Sequence, residues 1–330
     1  RREDLNTVEL STIDTGLALM GVLAAQSYFK RDNPNEMDIR TLAQSIYDCV
    51  EWDFMLEPTS NQFYLGWKPN EERDDNNFEI PDEAGEGSYS GVDENPATLD
   101  FYTDEAAIIT MLAVGSTTHP VDASVYCAWI RCDDSHFLIR TFPGTLFTYQ
   151  FLHAFLDTQR VNLAVCSDDP DSWYQNSRKA IRATIRYAQD NPKNYSTYGR
   201  NAWGLSAAEG PDDRYRAFGA PTAALWPCNP VSPCPVPDAT CPEENGTIAY
   251  YPMVCSVSYG DDLRARAIDA VRSGWGRNHW HQRFALPDAF NNDISEADLD
   301  TGEGNDNSIL RDNGRWVQRA LFAIDQGPML

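Results

Sequence analysis

The stretch LDFYTDEAAIITMLAVGS, Leu99 to Ser116, sets three carboxylates directly against an apolar run. From Ala106 to Val114 only Thr110 is polar, which predicts a helix wrapped by protein on nearly every side. Asp100, Asp104 and Glu105 fall at its start. Asp100 and Asp104 share a helical face, while Glu105 is turned about 100° from Asp104. Two accounts fit this cluster. Acids in a first turn complement the helix dipole and cap free N–H groups; alternatively, acids beside a buried element converge on a pocket that supplies solvent or partners for their charge.

Working outward, LSTIDTGLALMGVLAAQSYFK, Leu10 to Lys30, opens with Ser/Thr caps and carries small and aliphatic residues on almost all faces, which predicts a core helix. Asp38 to Val50 spaces Ile39, Leu42, Ala43, Ile46, Tyr47 and Val50 as an amphipathic helix with one buried stripe. Between Glu57 and Pro96 the periodicity stops around Trp67, Phe78 and Tyr89. Such a long loop walls a sugar cleft, or its aromatics simply anchor it. Beyond the GSTTHP helix stop, helices are expected around Tyr126 to Ile130, over Phe142 to Asp157, from Asp171 to Asn191 with a solvated Arg/Lys face, and from Asp261 to Ser273. No strand-period block of comparable strength competes. The reading is an all-α fold with long loops collected on one side.

A formal charge of −24 and the absence of a basic patch exclude nucleic acid as a partner. With 42% hydrophobic and 12% aromatic residues the chain buries a large core. No apolar run reaches the length of a membrane span; Ile13 to Ala25 is too short and is broken by Asp14. Eight cysteines fit neither CxxC pairs nor Cys/His zinc spacing, so they read as disulfides and hence as a secreted, extracellular or periplasmic chain. Cys127 and Cys132 are near enough to close a small loop, and Cys228, Cys234, Cys241 and Cys255 lie in a Pro-rich segment, about 227–256, that reads as a loop insertion. Asn194 and Asn245 head glycosylation sequons. The acidic segment from Asp293 to Asn313 does not have EF-hand spacing, and no metal or organic cofactor is expected.

STYGRNAWGLSAAEGP, Ser196 to Pro211, sets Tyr198, Asn201, Trp203, Ser206 and Glu209 among glycines. Rings that stack on pyranose faces and amide or carboxyl groups that bind hydroxyls are what a glycan site needs. Tyr149, Gln150 and His153 add polar members to the aromatic run before Asp157. All six, Tyr149, Gln150, His153, Tyr198, Asn201 and Trp203, read as sugar contacts and equally as core-packing residues. Nucleotide-loop, serine-esterase and zincin motifs are missing, which leaves carboxylates as the catalytic groups.

Seven blocks then occur in one order: ELSTIDTGLALMGVL (Glu9 to Leu23), DEAAIITMLAVGSTTHP (Asp104 to Pro120), GTLFTYQFLHAFLD (Gly144 to Asp157), NSRKAI (Asn176 to Ile181), YGRNAWGLSAAEGP (Tyr198 to Pro211), LPDAFN (Leu286 to Asn291) and AIDQGP (Ala323 to Pro328). Together they resemble the bacterial glycoamylase-like domain, whose relatives include endo-β-1,2-glucanases and the cyclising domains of cyclic β-1,2-glucan synthases. The resemblance implies a single (α/α)6 toroid over residues 1–330, with its cleft at the loop-bearing end, acting on a β-glucan. It aligns Glu105 with an acid before the turn that follows the central helix, and Glu209 with the acid of a WGL-A-GP motif where relatives often carry Asp. Relatives often place Trp-Asp before the first acid, whereas this chain has Leu99-Asp100-Phe101-Tyr102-Thr103-Asp104.

The chemistry that follows is glycoside hydrolysis by a carboxylate pair, Glu105 and Glu209, with Glu209 taken as acid and Glu105 as base or nucleophile. Asp104, Asp100, Asp288 and Asp325 are supporting acids, any of which could replace one of the pair. The partner is an oligo- or polysaccharide. Two other classes compete: a secreted glycan-binding or assembly module that keeps the toroid without catalysis, and a helical polysaccharide lyase, for which the chain offers little basic surface.

Overall fold

The computed structural model describes residues 10–67, 98–129, 139–141, 143–160, 166, 172–212, 214–224, 244–273, 286–294, 308–311, 315–318 and 321–327. By its internal contacts the chain divides into two compact units, Arg1–Arg131 and Cys132–Leu330. Helix is the commoner regular element in both. Among the described residues no closed ring of six helix pairs is formed, and the expectation of an all-α chain is corrected by short sheets in each unit.

In the first unit, α1 (Thr12–Tyr28) is capped by the Ser11 hydroxyl, which accepts the Asp14 N–H, and α2 (Pro34–Asp48) by the Asn33 side chain, which accepts from Glu36. Helix α3 (Asp104–Val114) begins at the Thr103 cap and carries the apolar run read from the sequence. Ala107, Ile108, Ile109 and Ala113 are all at 0% exposure. Helix α1 meets α3 at Gly16, where a Cβ would lie only 3.0 Å from Ile109 Cγ1, so the contact depends on the missing side chain. Tyr47 ties α2 to α3 by donating to the Leu112 carbonyl at 2.6 Å. The stripe predicted on α2 is only partly buried: Ala43 and Tyr47 face inward, while Leu42 and Ile46 are 62% and 50% exposed. Strand β1 (Leu10–Ser11) is paired antiparallel with β4 (Gly66–Trp67), and β2 (Leu56–Glu57) with β3 (Gln62–Phe63).

In the second unit the aromatic run before Asp157 makes one α-helical turn, α4 (Phe147–Gln150), and a 3-10 turn rather than a long helix. Helix α5 (Trp173–Asp190) starts at a Ser172 cap and stops at Asn191, whose φ of 44° puts it in the left-handed region. Strands β5 (Ala207–Glu209) and β6 (Tyr215–Ala217) form an antiparallel pair. A four-stranded sheet has the order β7-β8-β10-β9, from β7 (Ile248–Ala249), β8 (Ala289–Asn291), β9 (Ser308–Arg311) and β10 (Arg315–Gln318). Helices α6 (Tyr251–Cys255), α7 (Asp261–Arg272) and α8 (Ala323–Gln326) complete the unit. Gly204 of the WGL block abuts β7: a Cβ there would sit 2.0 Å from the Ala249 carbonyl oxygen.

This packing corrects the expected insertion at about 227–256. Residues 225–243 lie outside the described set, but Thr247 to Cys255 is core: Ile248, Tyr250 and Met253 are fully buried. The apolar run IAYYPMV folds inward, and Cys255 belongs to it rather than to the Pro-rich segment. Cys255 is a free, buried thiol, so the disulfide expected there is corrected. Cys127 and Cys166 are each disulfide-bonded, the latter not singled out by the sequence reading. Cys132, Cys228, Cys234 and Cys241 lie outside the described residues.

Candidate active site

Each unit holds its own cluster of acids. In the first, Thr103 accepts the Ala106 N–H and starts α3, which leaves Asp104 and Glu105 in the first turn. The Asp104 side chain is fully buried and accepts a hydrogen bond from Tyr102, itself at 0% exposure. Glu105 is partly exposed at the helix start. Burial, then the charges of Asp104 and Asp14, push its carboxyl up to about 7, against a hydrogen bond with Thr103 that lowers it. Burial pushes Asp100 up to about 6. A carboxyl raised this far can hold a proton near neutral pH.

The second cluster assembles from four elements. Glu209 ends β5 and stands directly opposite Tyr215 on β6. Cross-strand partners present their side chains on the same face. The Tyr215 hydroxyl donates to Asp325 Oδ1 at 2.8 Å from α8. The Glu209 backbone N–H donates to Asp288 Oδ2 at 2.9 Å, just before β8. Asp288 and Asp325 are fully buried, and their carboxyls lie close enough to interact. Burial pushes Asp325 up to about 6 against donors from Asp288, Tyr215 and Tyr251. Asp288 is driven well above the carboxylate range by burial and by Asp325. Below the pair, Tyr251 of α6 meets the Ser206 hydroxyl at 2.6 Å.

Two half-accessible groups, Glu209 and Tyr215, thus front a buried acid pair. Such a site can donate a proton, accept one, and hold a charged intermediate. Tyr215 and Tyr251 were not singled out from the sequence. The signal available was the AAE and YRA segments flanking the GPDD turn, which is what a short hairpin looks like.

Most residues expected to contact sugar are instead packed inside. Tyr149, at 0% exposure, donates to the Ala223 carbonyl at 2.6 Å and accepts the Thr141 N–H at 2.7 Å. Gln150 Nε2 donates to the Pro252 carbonyl and to Ser256, each at 3.1 Å. The His153 ring nitrogens meet the hydroxyls of Ser177 and Thr158, and burial holds its pKa down at about 3. Trp203 is at 0% exposure, and Tyr198 packs edge-on against Tyr195. Four of these five side chains are buried, and His153 is half-buried. Asn201 is half-buried beside them. Of the loop aromatics, Trp67 lines a cavity of about 470 Å³ with Trp52 and Phe54, and Phe78 and Tyr89 lie outside the described residues. Asn194 is exposed, whereas the Asn245 sequon runs into β7 with Thr247 buried and holding Asn291.

Among the described residues, both clusters are built chiefly of carboxyl and tyrosine hydroxyl groups. Residues 99–330 match the Glycoamylase family, and the chain belongs to it. Among its relatives is an exo β-1,2-glucooligosaccharide sophorohydrolase (non-reducing end) of Parabacteroides distasonis, 21% identical over 96% of this chain and 39% of that protein. Its fold is shared with an endo-β-1,2-glucanase of Chitinophaga pinensis, with a TM-score of 0.66 at 18% identity over 97% of this chain and 64% of that one. It is shared too with a β-1,2-glucanase of Parabacteroides distasonis, at a TM-score of 0.65 and 18% identity over 97% and 40%. The chain therefore spans about two fifths of the curated relative and less than two thirds of these solved chains.

Proposed function

We propose that this chain carries the catalytic carboxyls of a secreted glycoside hydrolase acting on β-1,2-linked glucan, on the (α/α)6 frame that the sequence resemblance implies. The observation that carries the reading is the meeting of Glu209, Tyr215, Asp288 and Asp325, four residues from separate segments, in a family whose relatives include enzymes named for β-1,2-glucan. Glu209, partly exposed on β5, is the proposed general acid that protonates the leaving glycosidic oxygen. Asp325 is the proposed base, with Tyr215 as the donor standing between it and solvent. Glu105 retains its place in the proposal on its own chemistry, as a carboxyl protonated near neutral pH. Disulfide-bonded Cys127 and Cys166 support an oxidising compartment, and no described helix is long and apolar enough to cross a membrane.

The test is incubation with linear β-1,2-glucan and with β-1,3- and β-1,4-glucans, following products by mass. Cleavage of the β-1,2 polymer alone supports the reading. Binding without cleavage of any polymer replaces it with a glycan-binding module.

A further inference from the structure

Asp288 and Asp325 lie side by side with no exposure to solvent, and among the described residues no Lys, Arg or His perturbs either. Two carboxylates this close, away from water and cations, cannot both be charged, so the pair holds a proton. The surrounding donors say on which carboxyl. Asp325 receives the Tyr215 hydroxyl at 2.8 Å, and the Tyr251 hydroxyl is near enough to favour its charged form. Among the described residues Asp288 Oδ2 receives only the Glu209 N–H, at 2.9 Å, and its Oδ1 has no donor. The other oxygen without a donor is Asp325 Oδ2. Anion-stabilising donors therefore gather on Asp325, and a proton on Asp288 Oδ1 satisfies both remaining oxygens at once.

Tyr251 is itself oriented from behind. Ser206 accepts the Phe147 N–H at 2.8 Å and the Thr145 hydroxyl at 3.2 Å, which turns its own proton toward Tyr251 at 2.6 Å. Tyr251 keeps its proton for the Ala207 carbonyl at 3.1 Å or for Asp325.

We propose that Asp288 is a neutral positioning residue: a buried carboxylic acid that holds the Glu209 backbone with one oxygen and donates its proton to the Asp325 carboxylate with the other. One side chain then sets the relation between the proposed acid and the proposed base. The titratable groups facing it are Glu209 from β5, Tyr215 from β6, Tyr251 from α6 and Asp325 from α8. The upward displacement of Asp288 by burial and by Asp325 agrees with this assignment. The inference rests on the reading of Glu209 and Asp325 as the reacting carboxyls only for its catalytic consequence; the protonation stands apart from it.

Two measurements on the full chain keep these separable. Infrared spectra of protein 13C-labelled at aspartate carboxyls are recorded at about pH 8, where Asp100 and Asp325, each near 6, are ionised. An isotope-shifted protonated-carboxyl band is expected, absent from Asp288→Asn. Its absence from the unsubstituted chain, whether or not the variant folds, overturns the proposal, as does its persistence in a folded Asp288→Asn. In turnover of β-1,2-glucan, Asp288→Ala lowers kcat about 100-fold with little change in KM, and Asp288→Asn, which also accepts and donates, rescues most of that loss. Asn performing no better than Ala means a charged Asp288 is required and overturns the proposal. Failure of the unsubstituted chain to cleave any glucan refutes the hydrolase reading, and the infrared result still decides the protonation.

Discussion

Tyr215 donates its hydroxyl to Asp325 across 110 positions of sequence, and it is 47% exposed while Asp325 is wholly buried. The phenol is thus the outer face of an interior carboxylate. Removing it has a defined electrostatic sign: Tyr215→Phe takes a donor from the anion, so Asp325 rises above its value of about 6. The acid limb of kcat/KM, where Asp325 becomes protonated, is expected to move to higher pH by about one pH unit. A limb that stays in place in Tyr215→Phe separates Asp325 from the reaction.

Glu105 links pH to stability. Its folded carboxyl is raised from 4.5 to about 7, so the folded state binds the proton more tightly than the unfolded chain. The sign follows: stability is highest below about 4.5 and is lost as pH rises to about 7, by about 2 kcal/mol after discounting for partial exposure. Glu105→Gln should therefore be more stable than the unsubstituted chain at pH 8 and similar to it at pH 4, as read by urea unfolding at both. Equal differences at the two pH values would contradict the assignment.

His153 behaves oppositely in acid. Held near 3 by burial against an ordinary 6.5, it stays neutral when folded and takes a proton only on unfolding. Stability conferred by the neutral ring is complete above about 6.5 and is lost as pH falls toward 3. His153→Gln should flatten that part of the acid-unfolding curve, even where the substitution costs packing against Tyr259.

The two free thiols among the described residues differ in reach. Cys49 is exposed and Cys255 buried, with burial pushing the latter up to about 12. A thiol reagent added to the native chain should react rapidly at Cys49, a labelling lowered by one thiol per chain in Cys49→Ser and unchanged in Cys255→Ser. Loss of the rapid phase in Cys255→Ser would place that thiol at the surface.

Helix α3 was readable because nearly every residue from Ala106 to Val114 is apolar, and burial on all sides needs no face to be identified. The four-stranded sheet was not, because its strands run two to four residues and show too little alternation to register a period of two. Glu209, Asp288 and Asp325 were each legible as acids in distinctive blocks. Their convergence was not, since Asp288 meets Glu209 across 79 positions and the local pattern says nothing about such pairings. Tyr149 and Trp203 misled for a physical reason: an aromatic ring that can stack on sugar can equally fill a core, and composition alone does not separate the two.

The most direct measurement is turnover of linear β-1,2-glucan by the chain and by Glu209→Gln, with products followed by mass and by anomeric configuration. The account predicts release of β-1,2-linked oligosaccharides by the unsubstituted chain and a loss of at least about 100-fold in kcat for a folded Glu209→Gln. Undiminished cleavage by Glu209→Gln would contradict the role given to this carboxyl.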